Sequence, residues 1–262
     1  MKKAIVIKIG GAILDGYNNS NANALNALLS VIANLEDQPV VLVHGGGCVV
    51  DEMLSQAGFV TEKKHGLRVT PKEHMPIISG ALAGNVNKAI VAIAASLKLS
   101  AVGLSLTDGE MVKCQISPLE LEYVGEPSPH SSVLLDTLLK ANFLPIVSSI
   151  GALDNGELVN VNADDAAVAI CQLLNAQLLL LTDVNGVKGA DGEYLTSLDQ
   201  QQAEQLISEG VIAGGMTAKV NAALLAANKL RRSIAVASWQ SPEQIIALLN
   251  GEDVGTRIQP NC

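Results

Sequence analysis

Six short runs in this chain are apolar almost from end to end: 4–9 (AIVIKI), 40–43 (VVLV), 101–106 (AVGLSL), 143–149 (FLPIVSS), 177–182 (QLLLLT) and 233–238 (SIAVAS). A strand with one wet face alternates apolar and polar residues. These runs mostly do not, so both faces must be covered. Between them the spacing predicts helices near 22–35, 48–57, 71–97 with a break near Gly84, 131–141, 164–174, 199–209, 215–229 and 241–249. Strands alternating with helices predict the α/β class: a three-layer αβα sandwich around a mainly parallel open sheet. Right-handed crossovers then set the strand C-termini along one edge, where ligands collect.

Three segments read as hairpins: about 58–70, about 110–125, and 151–161, where Asn155-Gly156 signals a turn. The Gly- and Asp-rich stretch 183–197 reads as loop. At 262 residues the chain suits one large α/β unit or two lobes sharing a sheet, divided after the helix ending near Asn175 into 1–175 and 176–262. Aromatic residues are only 2%, so Leu, Ile, Val and Ala must fill the core.

Charge and cysteine usage exclude several classes. The net charge is -9 and no basic stripe exists, which argues against nucleic acid as a partner. Cys48, Cys114, Cys171 and Cys262 form no C-x-x-C pair. The opening MKKAIVIKIGG is too short in its apolar part for a signal peptide, and no run of about 18 apolar residues lacks a charge. A soluble, cytoplasmic protein with no membrane partner is the expectation. H-E-x-x-H and G-x-S-x-G are both missing, against a zinc protease and an α/β-hydrolase.

The glycines carry more information. Gly45-Gly46-Gly47 stands between an apolar strand and a helix, Gly10-Gly11 directly follows the first strand, and Gly214-Gly215 directly precedes a helix. Each is open to two readings: a tight strand–helix turn, or a bare backbone that lets an anion reach a helix N-terminus. The first is no Walker A loop, since no Lys here is followed by Ser or Thr, and it fails G-x-G-x-x-G because Val50 takes the last position. Three such turns together suggest an elongated ligand with more than one phosphate or carboxylate.

Two lysines fit that ligand. Lys8 sits in an otherwise apolar strand, where a buried ammonium requires an anionic partner. Lys219 lies beside the apolar stripe of its helix, either snorkelling or aimed at the Gly214-Gly215 turn. The segment NVNADDAAVAI offers an N-cap at Asn162 and two first-turn acids. Helix capping accounts for Asp165, whereas the pattern leaves the role of Asp164 undecided. Asn160 is placed to offer an amide to a carboxylate or acyl group. Arg68, in HGLRVTP, reads as a surface arginine or a carboxylate clamp.

Taken in order, KIGG, VHGGG, NVNAD, LLTDVNGV and GGMTAKVNAA resemble the amino-acid kinase family from Lys3 to Arg257. HGGGCVVDEML, GLRVTP, SGALAGNVNK and NVNADDAA look like its members that phosphorylate N-acetyl-L-glutamate. The resemblance implies ATP-dependent phosphorylation of the side-chain carboxylate of N-acetyl-L-glutamate, the second step of arginine (ornithine) biosynthesis. It implies that Lys8 and Lys219 hold the transferring phosphoryl group, that Asp164 takes hydrogen bonds from both, and that Gly11 and Gly46 offer N–H groups to it. Gly46, Gly47, Arg68 and Asn160 would bind the acyl amino acid, with Arg68 on the α-carboxylate. Gly10, Gly11, Asp183, Val184, Asn185, Gly186, Val187, Lys188, Val211, Ile212 and Ala213 would border ATP. Mg²⁺ would be held mainly by the ATP phosphates, with no protein ligand named. The first lobe would carry the acyl amino acid and the dimer contact, the second ATP.

The first strand starts at Ala4 with no helix before it, which within the resemblance implies the homodimeric, arginine-insensitive type. Glutamate 5-kinase, aspartate kinase and carbamate kinase are sister readings, the first two usually with extra domains. An N-acetyl-aminoadipate kinase is harder to separate, since one methylene discriminates by only about 1–3 kcal/mol. A non-catalytic sensor on the same fold is the remaining alternative.

Overall fold

All six apolar runs form strands, and all six lie in one sheet. The computed structural model describes residues 2–10, 13, 20–35, 37–64, 66–241, 244–249, 252 and 254–261. In chain order the elements begin with β1 (Ile5–Ile9), α1 (Ser20–Ala33), β2 (Val40–His44), α2 (Gly47–Gln56), β3 (Lys63–Lys64) and β4 (Leu67–Arg68). They continue with α3 (Met75–Ser79), α4 (Asn87–Ser96), β5 (Ala101–Ser105), β6 (Val112–Ile116), β7 (Val124–Pro129) and α5 (Val133–Lys140). Next come β8 (Leu144–Ser148), β9 (Ile150–Ala152), β10 (Leu158–Val161), α6 (Ala163–Leu173) and β11 (Gln177–Thr182). The last are β12 (Ser197–Leu198), α7 (Gln200–Ser208), α8 (Gly215–Leu230), β13 (Ile234–Ser238), α9 (Gln244–Leu249) and β14 (Thr256–Ile258).

The large sheet has the order β12-β14-β13-β11-β1-β2-β8-β5 and is parallel except where β13 meets β14. β11 pairs directly with β1, so the sheet runs unbroken through the chain on either side of Asn175. The three expected hairpins are present. β3 pairs with β4, β6 with β7 and β9 with β10, all antiparallel, and the last four strands form a second sheet ordered β6-β7-β10-β9.

Period-two alternation in β1 assigns its side chains to two cores. Ile5, Ile7 and Ile9 pack against Leu25, Leu28 and Leu29 of α1 and Ile90 of α4. Val6 packs on the opposite face with Ala166 and Ile170 of α6 and Val220 of α8. Lys8, two residues on from Val6, belongs to that second face. A slip of one residue would carry its ammonium into the Ile-rich core, so burial of both faces fixes the position of the amine.

The expected break near Gly84 is instead a π-helical stretch, Gly80–Val86, joining α3 to α4 without loss of helical continuity. Such stretches are rare and cluster at functional sites. This one puts Leu82 and Val86 beside the Gly45–Gly47 turn. The helical run Lys72–Ser96 is long and apolar enough to span a membrane by length and composition. Here Met75, Ile78, Leu82, Val86, Ile90 and Ala94 are buried inside the protein.

A buried polar stitch holds the strand ends at this edge. His44 is fully buried at the end of β2. Its Nδ1–H donates to the Gly45 carbonyl at 2.8 Å, and its Nε2 accepts from the Asn87 side-chain amide at 3.0 Å. The same amide donates to the Ile146 carbonyl of β8 at 2.8 Å. Gly103 of β5 makes room for it, since a Cβ there would lie 2.0 Å from Asn87 Oδ1. Burial, helped by the charge of Lys88, pushes the imidazole down to about 4, although the Gly45 carbonyl pulls the other way.

The fold therefore holds His44 neutral, and protonated Nε2 would face an N–H₂ group. Between pH about 4 and 6.5 the unfolded chain binds more protons at this residue than the folded one. Its contribution is complete above about pH 6.5 and is lost as the pH falls to about 4, up to about 3 kcal/mol in all. Urea unfolding of wild type and His44→Gln at pH 7 and pH 4.5 should show wild type losing about 2 kcal/mol more than the variant. Parallel losses would exclude His44 as the cause.

Candidate active site

The C-terminal ends of β1, β2 and β11 open on a common edge, and each is followed directly in sequence by a glycine or an aspartate: Gly10, Gly45 and Asp183. From β1, Lys8 Nζ reaches Asp164 Oδ1 at 2.9 Å, with side chains 17% and 28% exposed. Asp164 lies in the first turn of α6, where the helix dipole favours a carboxylate. Asn162 caps that helix, its side-chain oxygen accepting from the N–H groups of Asp164 at 2.8 Å and Asp165 at 3.3 Å. The Asp165 carboxylate pairs with Lys229 of α8 at 2.7 Å, a link between helices beyond its expected capping role.

Lys219 extends from the second turn of α8 and pairs with Asp183, directly after β11. Asp164 thus meets one of the two amines expected at it, that of Lys8, while Lys219 meets Asp183. Two ammonium groups on one carboxylate would leave net positive charge in a half-buried space. Separate acids neutralise each amine locally. The Lys219 ammonium holds the Asp183 carboxyl below the usual carboxylate range, against the opposing effect of burial. Lys8, Asp164 and Lys219 line one cavity, together with Thr182, Val184 and Met216.

A second cleft, of about 220 Å³, is lined by Gly46, Gly47, Arg68, Asn160, Leu82 and Val124. That is several times the volume one water occupies. Arg68 is tied down on two sides: Nη2 donates to the Gly47 carbonyl at 3.1 Å, and Nη1 lies 2.5 Å from Asp51 Oδ1. Asn160 donates its side-chain N–H to Thr70 Oγ1 at 3.2 Å. The two cavities meet at the start of α6: Asn162 and Ala163 line the cleft, and Asp164 lines the lysine cavity. The cleft and the lysine cavity therefore adjoin at this helix start.

Gly46 sets the backbone of the Gly45–Gly47 turn. Its φ of +154° leads into α2, and a Cβ there would lie 3.0 Å from both Leu82 and Val86. Gly47, by contrast, has nothing within 4 Å of an added Cβ. Gly214, with φ +58°, makes the corresponding turn into α8.

The remaining sequence candidates separate by position. Gly10 ends β1, where an added Cβ would lie 3.7 Å from Lys8 Nζ, and Gly11 lies outside the described residues. Val184, Gly186 and Val187 line the lysine cavity, whereas Asn185, Lys188, Val211, Ile212 and Ala213 do not. Lys188 instead sits 5.4 Å above the Tyr194 ring, and Ile212 is buried in the core. Sequence reasoning missed Leu82, Lys63 and Asp51. Asp51 stands in the helix that follows the three glycines, four residues after Gly47, but its contact with Arg68 is tertiary. Among the described residues no group of three or more His, Cys, Asp or Glu side chains is arranged to hold a metal ion.

The sequence profile described as the amino acid kinase family matches residues 3–238. An acetylglutamate kinase of Colwellia psychrerythraea is 72% identical over 259 residues, covering 99% of this chain and 98% of that protein. An acetylglutamate kinase of Yersinia pestis is 45% identical, covering 98% and 99%. Among solved structures, a Giardia carbamate kinase superposes with a TM-score of 0.65 at 19% identity, covering 99% of both chains, and so shares the fold.

The contrast between neighbouring glycines is testable. Gly46→Ala strains φ and presses on Leu82 and Val86, and should lower the unfolding free energy by about 1–3 kcal/mol. Gly47→Ala, in open space, should change it by less than about 0.5 kcal/mol. Urea midpoints of the two variants check both; equal midpoints would remove the special role of Gly46.

Proposed function

The chain belongs to the amino acid kinase family, and from that membership we propose its reaction: ATP phosphorylates the side-chain carboxylate of N-acetyl-L-glutamate, giving N-acetyl-L-glutamyl 5-phosphate and ADP. This is the second step of arginine biosynthesis through acetylated intermediates. The observation that carries the reading is full-length likeness to an acetylglutamate kinase, and the site chemistry agrees with it.

A carboxylate oxygen attacks the γ-phosphorus of ATP as the bond to the bridging oxygen of ADP breaks. The carboxylate is already a nucleophile, so no general base is required. Catalysis then rests on in-line placement and on neutralising the equatorial oxygens. In our reading Lys8 and Lys219 supply that charge. Asp164 and Asp183 hold the two amines apart until phosphate arrives. Backbone N–H groups at Gly11 and Gly46 assist.

Arg68 takes the α-carboxylate of the substrate, Asn160 its acyl amide, and the turn at Gly46 and Gly47 its remaining oxygens. Val184, Gly186 and Val187, beside Asp183, border the nucleotide. Residues 1–175 serve the acyl amino acid and dimerisation, and residues 176–262 serve ATP. The acids nearest the phosphates already pair with lysines, a donor set that suits Mg²⁺ carried by the nucleotide. When bound, Mg²⁺ offsets phosphate charge. The reaction belongs in the cytoplasm, where ATP is supplied.

A homodimer is the proposed assembly, formed through β5 and the outer side of α4. β5 is an edge strand with β8 as its one sheet neighbour. Beside it α4 exposes Ala92 and Ala95 and half-exposes Val91. An open strand edge next to a small-residue apolar face fits a second copy. Light scattering should give twice the chain mass, and Ala92→Glu should give the monomer. A wild-type monomer would refute the dimer.

The function is tested by ADP release and hydroxamate trapping with N-acetylglutamate, glutamate and N-acetyl-aminoadipate. Turnover should be highest with the first. Lys8→Ala and Lys219→Ala should each lower kcat by about 10²–10³ with little change in ATP affinity. Unchanged kcat in either variant would end its assignment.

A further inference from the structure

The β3–β4 hairpin reaches the site through one side chain on another element. Lys63 and Arg68 stand opposite each other in that hairpin, one on each strand. Both turn to Asp51 of α2: Lys63 Nζ lies 3.1 Å from Oδ2 and Arg68 Nη1 2.5 Å from Oδ1. Each carboxylate oxygen thus serves one strand. The Arg68 guanidinium is also held by the Gly47 carbonyl, and its side chain is only 9% exposed, against 51% for Lys63. Gly66 and Leu67, in the same hairpin, line the cleft with Arg68.

We propose that Asp51 is a positioning residue, a clasp that pins both strands of the hairpin to α2 and aims the Arg68 fork into the acyl-amino-acid cleft. This rests on the reading of that cleft given above for the role of Arg68, but the clasp itself rests on geometry alone. A guanidinium on a two-stranded hairpin has many orientations. Contacts with a carboxylate and a carbonyl leave few, so the ordering is complete before the substrate's carboxylate arrives. Lys63 neutralises the charge that Arg68 leaves on Asp51 once the guanidinium is shared with a second carboxylate. Asp51 acts through Arg68 and takes no part in phosphoryl transfer.

Asp51→Asn keeps the shape and removes the charge. It should raise the KM for N-acetylglutamate by about ten- to a hundredfold, with kcat within about threefold and the KM for ATP unchanged. Asp51→Glu, which restores a carboxylate, should recover part of the loss. In the double variant with Arg68→Ala, loss of Asp51 should add nothing to the KM, because the residue it positions is gone. A KM that is unchanged or lower in Asp51→Asn would overturn the proposal, the latter marking Asp51 as a competitor for Arg68. Multiplying effects in the double variant, or a fall in kcat and thermal midpoint together, would reduce Asp51 to a structural role.

A readout without substrate separates this from the reaction assignment. Limited trypsin cleavage after Lys63 and Lys64 should speed up several-fold in Asp51→Asn at an unchanged thermal midpoint. If wild type fails to turn over N-acetylglutamate, the reaction assignment falls while the cleavage rates still decide the clasp. Equal cleavage rates would refute it.

Discussion

Lys8 enters a face of the sheet otherwise filled by valine and leucine, and the 2.9 Å contact with Asp164 is what that face requires of it. An ammonium moved from water to such a setting loses several kcal/mol of hydration unless a counter-charge meets it. The counter-charge comes from a helix start. There Asn162 satisfies free N–H groups and the dipole favours the acid. Strand register, helix cap and ion pair therefore support one another. The amine is placed because the sheet cannot slip, and the acid because the helix cannot begin elsewhere.

The same economy of construction recurs at the neighbouring strand ends. Asp183 after β11 answers Lys219 in α8, and Asp51 in α2 answers Arg68 in β4. Each cation of the site is met by an acid from a different element, so each pair also joins two pieces of the fold. Beneath them His44, Asn87 and the Ile146 carbonyl join β2, α4 and β8 through hydrogen bonds that leave no ring nitrogen unpartnered. The turn at Gly45–Gly47 thus stands on a neutral polar base and is flanked by paired charges. That suits a site which must attract anions without repelling itself.

What the sequence revealed was local. Strand positions, helix positions, the three hairpins and the Asn162 cap all follow from short-range pattern. So does the partial burial of Lys8, since an unbroken apolar run has no wet face. What stayed hidden was tertiary. Nothing near Lys219 in the chain says that its acid is Asp183, 36 residues earlier. Asp51 reads as one more helix-surface acid until the hairpin folds back over it. The stretch around Gly84 was legible as an irregularity but not as a π-helix. Two glycines in a helical pattern signal weakness, whereas the packing of Leu82 and Val86 beside Gly46 is tertiary and leaves no trace in the local pattern.

That π-helical stretch has a further consequence. Residues of an α-helix are spaced by about 100° around the axis, so adding or removing one turns everything beyond it by that angle. Gly80–Val86 carries Leu82 in the wall of the cleft and leads directly into α4, whose inner side holds Asn87 and Ile90 and whose outer side bears Ala92. A one-residue deletion within it would re-aim the cleft wall, swing Asn87 away from His44 and turn the alanine face off its present bearing. The length of this segment therefore matters more than the identity of its residues: the lining of the cleft and the outward surface of the molecule are geared to a single shaft.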